Sequence, residues 1–382
     1  MAYSGAGLGT EASPYLVTDA DELVEVTANM AVGVYWKQTA DISLSGYQAG
    51  AGWTPIGTPA VPFVGQYDGD DKYIRDLYIN VSANTDYLGL FRYSSGTLKN
   101  IKMDDCAINN AYRYVGVLCG YNNGTISRCQ VGTLANPGGV TMTYQGARSI
   151  GWWGLVCGYQ SSAKTIDQCL AIGSVYGYGT VGALCGENRY RISKSACFGS
   201  VSAHEYGGGL AGKGAWTANT GVQDSVSYSS TERRGSFTTH GGFHSDGYLG
   251  NWFARCFACG SVGTDDSDSG FNGYDRGANN PVLTDCYFDE DVTGQATDKA
   301  GAAGLTSAES KDSGNFANWN FETVWFMLTA ENCKNICGKS GVYDALPAHA
   351  KDKPFPRAIA TMLAEGIAND TTMNALYFGG GF

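Results

Sequence analysis

The chain has 382 residues, a formal net charge of −11, 16% charged residues and 54 glycines. So few charges and so many glycines exclude a coiled coil, and an acidic chain without a Lys/Arg cluster lacks the basic footprint that nucleic acid requires. With 43% apolar residues it can build a core, but no run of about 18 apolar residues exists to span a membrane.

The start, MAYSGAGLGTEASPYLV, has neither the basic run nor the apolar segment of a secretion signal. Twelve cysteines without such a signal are expected to stay reduced. Next, VTDADELVEVTANM (Val17–Met30) predicts a short helix capped by Thr18 or Asp19, with Asp21 or Glu22 three residues on. Its Leu23, Val24 and Val26 are expected to lie over the first coil of the following structure. Between Trp53 and Val81 come the first strands, where Leu77, Ile79 and Val81 alternate as a half-buried strand does.

From Leu88 the chain repeats. A weak copy, LGLFRYSSGTLKNIKMDDCAI, is followed by VGVLCGYNNGTISRCQVG, WGLVCGYQSSAKTIDQCLAIGSV, VGALCGENRYRISKSACFGSV and three more worn copies as far as Phe288. Short apolar runs bounded by Gly, Asn and Ser read as strands and turns. A unit of 28–30 residues matches one coil of a parallel β-helix. About ten coils at ~4.8 Å would make a rod on the order of 50 Å long. The cysteines recur within this frame. One column runs Cys119, Cys157, Cys185, Ala211, His244; a second runs Cys129, Cys169, Cys197, Val226, Cys256, Cys286. Positions that accept Cys, Ala and Val predict small apolar core sites.

These residues resemble a known family. GTEASPYLV, the acidic helix, ADISLSGY, WTPIG, PFVGQYDG and repeats of the GGLxGxNxGxIxxCxxxGxV type are similar to GLUG-motif repeat proteins, as is the ending CYFDEDVTGQ…FETVW. The resemblance runs from Gly9 to Trp325. It implies an all-β, right-handed parallel β-helix of the kind carried by bacterial surface proteins and phage virions. The expected organisation is an N-terminal cap with the first coils (1–87), the repeats (88–330) and a C-terminal module (331–382).

Several constellations could carry chemistry. His240 and His244 with Cys256 and Cys259 have the spacing of a zinc site, although His244 and Cys256 already belong to the repeat columns. Cys333 and Cys337 lie outside the repeats and could pair. Asp266, Asp268 and Gly270 resemble half a calcium loop that lacks its closing glutamate. Asp104, Asp105, Asp285, Asp289 and Glu290 are the acids available for glycan cleavage, but they gather on no single face. No cofactor motif is present. Tyr112, Tyr114, Tyr121, Trp152, Trp153, Tyr159 and Tyr190 could hold a glycan or a subunit interface, or could cover the small residues beside them.

The expected function is non-enzymatic display in a phage virion, as head decoration, head fibre, tail fibre or receptor-binding protein. Its partners would be capsid or tail proteins, further copies of itself (a trimer being one form) and a host-surface glycan. A bacterial surface adhesin is the alternative, and a polysaccharide-degrading spike the third. In the tail, Ala358, Ile359, Met362, Leu363 and Ile367 form an apolar stripe that needs a surface. That surface is either the open end of the β-helix or another subunit, with NALYFGGGF reaching onto a neighbour.

Overall fold

The computed structural model describes residues 3–367 except 82–84, 110–111, 145–150, 162–163, 216–219, 236–238, 248–249, 264–267, 275–276, 340 and 366. Its short strands stack as a parallel β-solenoid of about eight turns, fewer than the ten expected from the repeats. At ~4.8 Å per turn the rod is on the order of 40 Å long. One face stacks Phe91–Ser94, Cys119–Asn122, Cys157–Gln160, Cys185–Asn188, Ala211–Gly214 and His244–Asp246. The next stacks Thr97–Lys99, Thr125–Ser127, Thr165–Asp167 and Arg191–Ser193. A third carries Gln130–Val131, Leu170–Gly177 and Ala196–Ala203, and both of these faces run on into Gly221–Arg233 and Trp252–Ala258. Coils approach so closely at Gly120, Gly158 and Gly186 that a Cβ would lie 2.7, 2.4 and 2.4 Å from neighbouring backbone. Only glycine fits there.

Each coil turns a corner through one left-handed residue. Asn100, Arg128, Gln168, Lys194, Asp224, Arg255 and Asp285 all have φ between +48° and +55°. The residue after each corner points inward and completes the turn. Cys129 Sγ donates to the Ser127 carbonyl (3.3 Å) and Cys169 Sγ to Asp167 (3.4 Å). Ser195 and Ser225 Oγ donate to Ser193 and Gln223 (both 2.8 Å), and Cys256 and Cys286 to Ala254 and Thr284 (both 3.5 Å).

This geometry corrects the second cysteine column. Ser195 and Ser225, not Cys197 and Val226, follow the corners after Cys169, and Ser225 pairs with Cys256. Cys197 belongs to a neighbouring inward column, paired with Ala171 and Ser227. Val226 pairs with Ala196 and faces outward into a second apolar cluster. From Cys129 onward the corner thus takes a small side chain with a hydrogen to donate, whereas the Asn100 corner is followed by the buried Ile101. The first column stands as expected, with Cys119, Cys157, Cys185, Ala211 and His244 in register and buried.

The N-terminal cap is the helix Ala20–Glu25. Asp19 Oδ1 accepts from the Glu22 amide (2.9 Å), and Glu22 accepts in return from the Thr18 amide (2.6 Å). Leu23 and Val26 are buried, whereas Val24 faces solvent. The described part of the C-terminal module lies along the side of the solenoid and not over its open end. There the outward column Leu170, Ala196, Val226, Phe257 and Tyr287 is apolar, and Phe316, Trp319, Trp325, Leu328, Phe355, Ile359 and Leu363 pack against it. Full burial stabilises by about 1.5–3 kcal/mol for each large apolar side chain. Ile359, Met362, Leu363 and Ile367 of the expected stripe are buried, Ala358 is exposed, and Asn374–Phe382 lie outside the described residues.

Candidate functional site

On the face of the first column, the side chain two residues after the inward Phe91, Cys119 or Cys157 turns away from the core. In three successive coils it is a tyrosine, and Tyr93, Tyr121 and Tyr159 stack with centroids 4.4 and 4.8 Å apart and planes within 17°. A second ladder runs beside it: Tyr87 to Tyr114 at 4.5 Å and Tyr114 to Trp152 at 4.7 Å. The ladders meet edge to face, Tyr114 on Tyr159 and Trp152 on Tyr159 both at 5.5 Å. Ring faces are spent on one another, so the strip offers ring edges and phenol groups outward. Burial pushes the Tyr93 phenol up to about 12 and raises Tyr114 as well, so both remain protonated donors at neutral pH.

Tyr87 and Tyr114 hold φ of +62° and +59°, a conformation that a bulky residue adopts rarely. Along the rod the tyrosine column gives way to Glu187, Lys213 and Asp246, and Arg189 bonds Glu187 at 2.6 Å while lying 5.0 Å over Tyr159.

Of the aromatics singled out in the sequence, Tyr114, Tyr121, Trp152 and Tyr159 converge. Trp153 points into the core and is fully buried. Tyr112 packs under Arg113 at 4.8 Å and Tyr190 beside Arg191 at 5.3 Å, apart from the ladders. Tyr87 and Tyr93 complete the strip and were missed, although FRYSSGT aligns with CGYNNGT.

The zinc set does not converge. Cys256 points into the solenoid core, whereas Cys259 points into the lateral cluster and donates to the His349 carbonyl at 3.1 Å. His240 and His244 are buried, and burial lowers the His244 imidazole to about 4. Among the described residues all twelve cysteines are free and buried, and burial holds the Cys119 and Cys185 thiols far above their ordinary range. Cys333 and Cys337 are unpaired on the helix Ala330–Cys337. Asp266 lies outside the described residues, and Asp268 is buried.

Four of the acids act as acceptors, although Asp104 keeps a buried Oδ1 without a partner among the described residues and burial raises its carboxyl. Asp104 accepts from Thr133 (3.1 Å), Asp105 from Asn136 (2.7 Å) and Asp285 from Asn318 (3.1 Å). Asp289 is fully buried, pairs with Lys353 at 2.6 Å and caps the helix that Glu290 begins. Its lysine partner and its hydrogen-bond donors hold this carboxyl below the usual range, against the cost of burial.

No family model matches the chain. Over 131 residues it is 33% identical to a "Putative Gly-rich membrane protein" of Evansella cellulosilytica, a stretch that covers 33% of this chain and 15% of that protein. Over 174 residues it is 29% identical to "Halomucin" of Haloquadratum walsbyi, covering 44% of this chain and 2% of that protein. The chain thus spans a small part of either relative. Among solved structures, a "putative immunoglobulin A1 protease from Bacteroides ovatus" matches with a TM-score of 0.50 over 84% of this chain and 91% of that one, at 17% identity. That likeness is one of fold.

Proposed function

We propose that this chain is a non-enzymatic display segment of a cell or particle surface, and that it holds a short glycan against the Tyr/Trp strip. The observation that carries this reading is the pair of aromatic ladders, five of whose six rings are partly exposed while Tyr159 is buried beneath Trp152 and Arg189, with Tyr87 and Tyr114 held at positive φ. Backbone strain of this sort persists where the surroundings enforce it, and it clusters at functional positions. Ring edges and phenol groups together offer apolar contact and hydrogen bonds. A sugar ring, with alternating C–H and O–H groups, complements both.

Size favours a glycan over a protein partner. Three rungs of two rings at ~4.8 Å spacing present roughly 200 Å². A stable protein interface needs about 800 Å² per partner, whereas two or three sugar rings match the strip. The name of the Evansella relative favours a cell envelope as the carrier, and the repeat resemblance allows a phage virion as well. Mass spectrometry of purified particles and of envelope fractions separates the two.

The binding test uses a panel of bacterial surface-polysaccharide fragments. The intact protein should retain a subset of them, and the Tyr121→Ala/Trp152→Ala double variant should bind at least tenfold more weakly while still unfolding cooperatively. A panel on which the intact protein binds nothing, or on which the double variant binds equally well, overturns the reading.

A further inference from the structure

The most deeply buried charged pair in the described chain joins the last coils of the solenoid to the lateral module. Lys353 and Asp289 have side chains 2% and 0% exposed, 64 residues apart in sequence, with Nζ 2.6 Å from Oδ2. Burying two charges is expensive even when they pair. Their surroundings are those of an acyl-transfer site. Oδ1 accepts from the Val292 amide (3.0 Å) and from Ser307 Oγ (2.8 Å). Those two donors face the oxygen that would carry negative charge if the carboxyl carbon were attacked. Oδ2 accepts from Ser310 Oγ (2.8 Å), and the same hydroxyl contacts Lys353 Nζ. Ser310 thus bridges the amine and the oxygen that would leave. No bulk solvent competes, since Ser310 is itself fully buried.

We propose that Lys353 and Asp289 condense to an intramolecular amide that bonds the module covalently to the solenoid. The ammonium first passes one proton through Ser310 Oγ to Oδ2, leaving a neutral amine and a carboxylic acid. Nζ then bonds to Cγ, and the carbonyl electron pair moves onto Oδ1, where the Val292 and Ser307 donors receive it. Collapse restores the C=O bond, breaks Cγ–Oδ2 and releases Oδ2 as water with a second proton from the nitrogen. The amide keeps one hydrogen, one water leaves, and no oxidant or other reactant is needed. The product replaces two buried charges with one neutral amide. Holding amine and carboxyl in contact makes the step effectively unimolecular.

The test is the intact mass of the full chain after denaturation and reduction. It should fall about 18 Da, one water, below the sequence mass. Proteolysis should yield a branched peptide joining the segments around Lys353 and Asp289. Lys353→Arg keeps the charge and should restore the full mass, while Ser310→Ala should slow the loss of water at least tenfold. A full-length mass in the unaltered protein overturns the proposal. So does a water loss that persists in Lys353→Arg, because it would then arise elsewhere in the chain. The reading of the intact protein does not depend on how either variant folds.

Discussion

Two outward faces of this solenoid carry large apolar side chains, and the chain treats them differently. Along the lateral face, Leu170, Val226, Phe257 and Tyr287 lie under Phe316, Trp319 and Trp325 of the segment leading into the module and under the module's Phe355. Along the other, the Tyr93 and Tyr87 ladders stay partly exposed as far as the buried Tyr159 and satisfy their ring faces by stacking on one another. The lateral side chains vary in shape from rung to rung and need a complementary partner. The strip repeats one flat shape, which stacks on itself and leaves its edges free. A solenoid can thus bear two apolar faces, provided that one is covered and the other is self-stacked.

The comparison breaks most easily on the covered face. Trp325 is fully buried and stacks on Trp319 at 4.0 Å. Trp325→Ala should cost about 3–5 kcal/mol, the range for truncating a buried aromatic, as read by guanidinium unfolding. The module should loosen first and expose the lateral column to a hydrophobic dye. A cost under about 1 kcal/mol would show that the module is an ornament and not a cover.

Acid probes the core that both faces share. His244 stands where the preceding coil has Ala211, and burial lowers its imidazole from the ordinary 6.5 to about 4, against the opposing pull of Asp246. The unfolded chain takes up this proton near pH 6.5 and the folded chain only near pH 4. Between those values the unfolded state binds more protons, so stability falls as the pH drops. The loss approaches about 3 kcal/mol at about 1.4 kcal/mol per pH unit, and is complete below pH 4. His244→Ala should flatten this slope, as measured by unfolding at pH 7 and pH 4.5. In any molecule whose Asp289 is still a free carboxylate, that group acts in the same sense: its stabilisation is present above the usual carboxylate range and is lost as the pH falls through its lowered value.

The corner column gives a smaller and more discriminating effect. Cys169→Ser should cost under about 1 kcal/mol, because Ser195 makes the same bond to the carbonyl two residues back. Cys169→Val should cost about 1–3 kcal/mol, since it removes the thiol bond, leaves the Asp167 carbonyl only the Arg128 amide (2.9 Å) and forces a branched side chain into a packed column. The reverse order in thermal unfolding would return the column to simple volume packing.

The corrected column shows what was legible in the sequence. The repeat, the stacked coils, the first cysteine column and the Asp19 cap are all written as residue patterns, because each depends on local turns and on register between adjacent copies. The second column was misread because cysteine letters were aligned in place of corners. The Ile192–Ser195 turn brings Ser195 to the place of Cys169, and Cys197 falls two residues past it. The module's side-on position also had a signal: in CLAI, SACF, DSVSY and RCFA the outward residue is apolar where an exposed strand would be polar. What no pattern revealed is the Lys353–Asp289 contact, because two distant segments meet there and neither belongs to a repeat.

The smallest expected effect on stability falls on the strip, and it sharpens the comparison most. Tyr121 sits at the centre, 4.4 Å from Tyr93, 4.8 Å from Tyr159 and 5.7 Å edge-on to Tyr114. Removing its ring forfeits two stacking contacts worth about 0.5–1.5 kcal/mol each. Its neighbours can close part of the gap, and water can fill the rest, since the ring is only half-buried and leaves no sealed cavity. Tyr121→Ala should therefore cost about 1 kcal/mol, well below the cost of Trp325→Ala on the covered face. Tyr121→Phe should cost less still, because it keeps the stacking and removes only the hydroxyl. Glycan retention should rank the two variants in the same order and far more steeply, since the central ring serves every sugar that lies across the strip. If Tyr121→Ala instead destabilises the fold as much as Trp325→Ala does, the ladder exists to hold the coils together and the two faces do one job.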